Sequence, residues 1–122
     1  MARILIVDDE EGDRLFQSTV LINAGHEVRF AGDGESALAK WSGGEFDLVL
    51  TDLAMPRLNG LQLIQEIRRA DPHARIIAIS GVSADQLGLA EDYGAARSLR
   101  KPLDPRALIE AIDAVLADTS LE

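Results

Sequence analysis

Apolar runs alternate with stretches of helical period five times along this chain. "RILIV" (Arg3–Val7), "DLVLT" (Asp47–Thr51) and "RIIAIS" (Arg75–Ser80) are short and near-continuously apolar, the pattern of strands buried on both faces. "EVRFA" (Glu27–Ala31) and "RSLRK" (Arg97–Lys101) are weaker runs and read as sheet edges. Between the strands, Leu15, Phe16, Thr19 and Val20 share a helical face that Gly25 ends. Ala37, Leu38 and Trp41 mark a second helix. Leu63, Ile64 and Ile67 mark a third, with Asn59 as its cap. The segment Ala84–Tyr93 is a poorly patterned fourth helix. The fifth is the clearest: Asp104 caps it, Pro105 sits in its first turn, and Leu108, Ile109, Ile112, Val115 and Leu116 form its stripe.

Five βα units with short connections predict a parallel sheet covered by helices on both faces. For five strands the flavodoxin-like order 2-1-3-4-5 is expected, a doubly wound α/β sandwich. Winding reverses between strands 1 and 3, and ligands of such sheets bind at that switch point, beyond the carboxyl ends of the strands. The length of 122 residues suits one domain of this kind.

The residues at those carboxyl ends carry the chemistry. Strand 1 delivers Asp8 and Asp9, strand 3 delivers Asp52, strand 4 delivers Ser80 and strand 5 delivers Lys101. Strands 1 and 3 are neighbours in the expected order, so the three carboxylates should converge. Packed like charges raise one another's pKa unless a cation intervenes. Lys101 is one such cation and a solvent metal ion is another. An all-oxygen, carboxylate-rich site favours Mg²⁺ or Mn²⁺ over Zn²⁺. A carboxylate nucleophile, a metal, a lysine and a hydroxyl are the parts that phosphoryl transfer demands. Within "VLTDLAMPRLNG" (Val49–Gly60), Pro56 and Gly60 read as a turn and the approach to helix 3.

Composition narrows the picture. The net charge of −9 opposes direct binding to a phosphate backbone. The absence of cysteine excludes disulfides and thiolate metal sites and fits a reducing, cytoplasmic setting. No run approaches membrane length, and "MARILIVDDE" is too short in apolar residues for a signal peptide. His26 and His73 fall in expected loops without partners at metal spacing and read as solvated residues. The terminal Leu121 and Glu122 read as residues left at a tag junction. Residues 1–120 then form the domain.

Four segments, "ILIVDDE", "DLVLTDLAMPRLNGLQLI", "IIAISG" and "LRKPL", occur in an order and spacing that resembles the receiver domain of two-component response regulators, from Arg3 to about Leu116. The resemblance implies a phosphorylation-activated switch. Asp52 would accept a phosphoryl group from a histidine kinase or histidine phosphotransfer protein, and an effector domain or protein would read the result. Asp9 and Asp52 would ligate Mg²⁺ directly, Asp8 largely through water, and the carbonyl of Ala54 would add a ligand. Ser80 would be the switch hydroxyl, Lys101 would pair with the phosphoryl group, and the Lys101–Pro102 bond would be cis. Such a protein catalyses only its own phosphorylation and dephosphorylation.

Rival classes fit less well. A flavodoxin needs hydroxyls and amides after strand 1, where this chain has "DDEEGD". A haloacid-dehalogenase-type phosphatase carries a second acid two residues after its nucleophile, where this chain has Ala54. A degenerate receiver that serves only as a docking module lacks an acid or the lysine, and here none is missing. One position departs from the family pattern: Ser98 stands three residues before the lysine, where an aromatic ring is usual.

Overall fold

The structure, a computed structural model, describes residues 2–54, 59–81 and 84–118. Strands and helices alternate in the order β1 (Arg3–Val7), α1 (Glu11–Asn23), β2 (Glu27–Ala31), α2 (Gly34–Gly43), β3 (Leu48–Asp52), α3 (Gly60–Ala70), β4 (Ile76–Ser80), α4 (Ala84–Asp92), β5 (Arg97–Arg100) and α5 (Pro105–Ala117). The five strands form one sheet in the order β2-β1-β3-β4-β5. All four neighbouring pairs run parallel. This is the expected flavodoxin-like sandwich, with the two weaker strands at its edges.

Alternation along the strands explains the two-sided core, because successive side chains of a strand point to opposite faces. Leu5, Val7, Val49, Ile76 and Ala78 face one cluster with Ala37, Leu63, Ile64, Ile67 and Ala90. Ile4, Ile6, Leu48, Leu50, Ile77 and Ile79 face the other, with Leu21, Leu108, Ile112 and Val115. Each such aliphatic side chain, removed from water, contributes roughly 1.5–3 kcal/mol. The sheet is thereby clamped from both sides, and its strand ends become a rigid rim.

Caps set where the helices begin. Asn59 and Gln62 form a reciprocal capping box at the start of α3. The Asp33 carboxylate accepts the Ser36 N–H, and Asp104 accepts the Arg106 N–H ahead of Pro105. Gly25 follows α1 with φ of 95°, a left-handed conformation that suits glycine.

The structure corrects the expected inner face of α1. Leu15 and Phe16 are 66% and 38% exposed, and Thr19 is also exposed, whereas Gln17, Ser18 and Leu21 are buried. Val20 alone of the expected set packs partly against the core. The physical reason lies at the start of the helix, where α1 crosses polar groups at the end of β1. Gln17 Nε2 donates to the Asp8 carboxylate, and the Arg14 guanidinium donates to the Asp8 carbonyl. Those bonds turn a polar residue inward and leave two apolar ones outside. His26 is likewise not simply solvated, since its Nδ1 accepts the Ala2 N–H at 3.1 Å. Pro56, Leu121 and Glu122, to which the sequence reading gave roles, lie outside the described residues.

Candidate functional site

Strand register brings the polar residues together. Val7, the last residue of β1, pairs with Thr51, so Asp8 emerges beside Asp52 at the end of β3. Asp52 is level with Ile79, which leaves Ser80 one step farther along β4. Ser80 pairs with Arg100, the last residue of the outer strand, so Lys101 just after it overhangs the same rim. The Lys101 N–H donates to the Ser80 carbonyl at 3.0 Å, and the following bond to Pro102 is cis, as expected.

Asp8, Asp9 and Asp52 form one cluster, with a carboxylate oxygen of each within 4.8 Å of the others. The three differ in what they already bind. Asp8 is fully buried: Oδ1 accepts the Glu10 N–H at 3.0 Å, and Oδ2 accepts Gln17 Nε2 at 3.2 Å and Lys101 Nζ at 3.0 Å. Asp52, 5% exposed, accepts the Ala54 N–H at 3.4 Å and faces Lys101 Nζ at 3.4 Å. Asp9 is exposed to solvent. Ala54 lies exposed two residues beyond Asp52.

Gly60 explains how the backbone of Asp52 is held. Its N–H donates to the Leu53 carbonyl at 3.0 Å. A Cβ at this position would lie 2.2 Å from the Asp52 carbonyl oxygen and 2.5 Å from Leu53 Cα. Only glycine lets the start of α3 press this closely on the end of β3. Gly60 is the approach to the helix expected from the sequence, and it also seats the residue after which the strand ends.

Burial raises the pKa of Asp52, and the nearby Asp8 charge adds to this, while Lys101 and the Ala54 N–H oppose it. Burial pulls the Lys101 ammonium down. Hydrogen bonds to Asp13 and Asp8, with the charges of Asp52 and Asp8, outweigh that and hold it above the ordinary lysine value. Lys101 is thus the counter-ion of an acid cluster whose most buried member is already satisfied. Such a rim can hold a hard cation against Asp9 and Asp52 and offer an ammonium to an oxyanion beside it.

Two further residues reach the site, Asp13 and Gln17, neither of them expected from the sequence. Asp13 Oδ2 lies 2.7 Å from Lys101 Nζ, the shortest of the three lysine–carboxylate contacts, and Gln17 reaches the buried Asp8. The signal was their spacing: four residues apart on α1, they share one face. That face is polar where apolar periodicity points elsewhere on the helix. Ser98, where an aromatic is usual, donates from β5 to the Glu91 carboxylate on α4.

The geometry has counterparts among known proteins. A family model described as the response regulator receiver domain matches residues 4–113. The chain belongs to that family. Chemotaxis protein CheY of Thermotoga maritima is 35% identical over 115 residues, covering 93% of this receiver and 96% of CheY. The DNA-binding transcriptional regulator NtrC of Azospirillum brasilense is 37% identical over 117 residues, covering 94% of this chain but only 24% of NtrC. The receiver thus spans nearly all of one relative and about a quarter of the other. Among solved structures, a receiver domain protein from Clostridium thermocellum superposes with a TM-score of 0.92 at 31% identity, covering 99% of this chain and 98% of that one. Response regulator TrrA of Thermotoga maritima, solved in complex with Mg²⁺ and BeF, gives 0.87 at 34% identity, covering 94% and 99%. Receivers are signalling switches that work with kinases and effector domains. No helix among the described residues is long and apolar enough to cross a membrane.

Proposed function

We propose that this receiver is switched by phosphorylation of Asp52, with the phosphoryl group coming from a histidine kinase or histidine phosphotransfer protein. The observation that carries the reading is the position of Lys101, whose ammonium lies 3.0 Å from the buried Asp8 and 3.4 Å from Asp52 at the mouth of an acid cluster. Asp52 is the nucleophile: its oxygen bonds to phosphorus as the phosphorus–nitrogen bond of the donor breaks, and the donor imidazole leaves with the electron pair. Lys101 turns to a phosphoryl oxygen, and the Ser80 hydroxyl, one step from Asp52 on the next strand, contacts another.

The donor set fits Mg²⁺, since all three side chains offer hard oxygens within 4.8 Å. Asp9 and Asp52 would hold the ion directly with the Ala54 carbonyl. Asp8, whose two oxygens already accept three donors, would act through water. When bound, Mg²⁺ neutralises charge as it accumulates on the transferring group. Mn²⁺, with the same ligand preference, would substitute. That TrrA, 34% identical, was solved in complex with Mg²⁺ and BeF supports Mg²⁺ as the ion this receiver binds. A degenerate receiver used only for docking would have no need of an intact acid cluster and its lysine.

In this reading residues 1–120 are the receiver domain, it works in the cytoplasm, and it autocatalyses both gain and loss of the phosphoryl group. Its net charge of −9 argues against direct contact with nucleic acid, and it has no membrane role; an effector domain or protein takes the signal onward.

Acetyl phosphate with Mg²⁺ tests the proposal. The protein should gain one acid-stable, alkali-labile phosphoryl group, and Asp52→Asn should gain none; equal labelling of the variant would overturn the assignment. In parallel titrations with Mg²⁺, Asp9→Ala should lose about tenfold or more in affinity and Asp8→Ala less. The opposite ranking would exchange the roles of the two acids.

A further inference from the structure

Lys101 has one partner that the phosphoacceptor reading does not require. Asp13 lies in the first turn of α1, outside the three-carboxylate cluster, and its Oδ2 is 2.7 Å from Lys101 Nζ. The contacts to Asp8 and Asp52 are longer, at 3.0 Å and 3.4 Å. Asp8 is also fully buried and pinned by the Glu10 N–H and by Gln17 Nε2. The Asp13 side chain is 35% exposed, and a cavity of about 280 Å³ opens beside it, lined by Asp13, Phe16, Gln17, Lys101, Pro102 and Leu103. Of the carboxylates around this lysine, Asp13 therefore binds it most closely and is most able to release it.

We infer that Asp13 is a positioning residue that holds Lys101 back from the phosphoacceptor and so sets the ease of phosphorylation. The inference rests on the reading of Asp52 as phosphoacceptor. The three N–H groups of the ammonium are engaged by Asp8, Asp13 and Asp52, and the closest contact, to Asp13, draws it toward α1 and away from a phosphoryl oxygen on Asp52. The resting contact thus competes with the charge-assisted bond that the phosphorylated state makes. Among the described residues, removing the Asp13 charge leaves Lys101 with Asp8 and Asp52, already directed at the site. Gln17 keeps Asp8 in place throughout, so the competition affects the lysine and not the acid cluster.

The test compares wild type with Asp13→Asn, Asp13→Glu, Asp52→Asn and Glu11→Gln. Glu11 is an exposed acid of the same helical turn, so its variant matches Asp13→Asn in net charge without being a partner of Lys101. The readouts are affinity for beryllofluoride in saturating Mg²⁺ and the rate of labelling by acetyl phosphate. Thermal melts establish that each variant is folded. Asp13→Asn should tighten beryllofluoride binding and speed labelling by about three- to fivefold, the scale of a partly exposed ion pair. Glu11→Gln should stay at wild type, and Asp13→Glu, which keeps the carboxylate, should return most of the way to it. Equal gains in Asp13→Asn and Glu11→Gln would reduce the effect to general charge and overturn the inference. So would an unchanged or slower Asp13→Asn while wild type labels normally. Failure of wild type to label, or labelling of Asp52→Asn, would instead overturn the phosphoacceptor reading and this inference with it.

Discussion

The two ends of the sheet carry the same kinds of charged residue and use them differently. At the amino end, Arg3 Nε lies 2.8 Å from Glu27 Oε2, with the two side chains 38% and 49% exposed. The Arg3 N–H donates to Asp47, and its guanidinium lies over the Phe46 ring at 5.2 Å. Charge there is matched, local and in contact with water, which screens it. At the carboxyl end one ammonium, 21% exposed, serves Asp8, Asp13 and Asp52 at once, and two of those acids are buried. Charge there is unmatched and, around the buried Asp8 and Asp52, only weakly screened. An excess of buried carboxylate is costly to a fold unless something else completes it. The contrast teaches that burial and imbalance, more than the number of acids, set the candidate site apart from the rest of the surface.

Breaking the comparison at its strongest point means removing the shared cation. In chelator, Lys101→Ala should destabilise the protein by about 2 kcal/mol, because it leaves the buried Asp8 and Asp52 without a counter-ion. Urea melts would measure this, and added Mg²⁺ should recover part of the loss. An unchanged midpoint would mean that the acids are neutral at rest.

Asp52→Asn acts in the opposite sense. Burial raises the Asp52 pKa, so its ionised form opposes folding. Wild type therefore loses stability as pH rises from the ordinary carboxylate range through the raised value. The Asn variant escapes that loss, so in chelator at neutral pH it should be more stable by about 1 kcal/mol. The advantage should shrink toward acid, where the wild-type carboxyl is protonated in both states. Melts of the two proteins across pH would check it. A less stable variant at neutral pH would argue that Lys101 fully compensates the cluster. The smallest effect belongs at the other end, where Arg3→Ala should cost only about 0.5 kcal/mol, whether Mg²⁺ is present or not. A loss as large as that of Lys101→Ala would remove the distinction between the two ends.

Much of this was legible in the sequence because strands buried on both faces announce themselves. "RILIV" gave its strand at the observed limits, and "DLVLT" and "RIIAIS" came within one residue. The edge assignments followed from weaker runs, and Asn59, Gly25 and Asp104 marked helix ends through local chemistry that needs no tertiary context. The acid cluster, Ser80 and Lys101 followed from strand order alone. The inner face of α1 did not, since periodicity ranks residues by apolarity and Gln17 faces inward for a hydrogen bond. Asp13 stayed hidden for the same reason. Gly60 was visible as a turn residue, but its closeness to the Asp52 carbonyl depends on how α3 sits against β3.

The central claim is that the imbalance at the carboxyl end makes Asp52 the residue that takes the phosphoryl group. Borohydride reduction converts an aspartyl phosphate to homoserine and fixes its place in the chain. After labelling with acetyl phosphate and Mg²⁺, peptide mass spectrometry of the reduced protein should find homoserine at position 52. It should find none in protein treated without Mg²⁺. Homoserine at position 8, 9 or 13, or a stable phosphate on Ser80, would contradict the account.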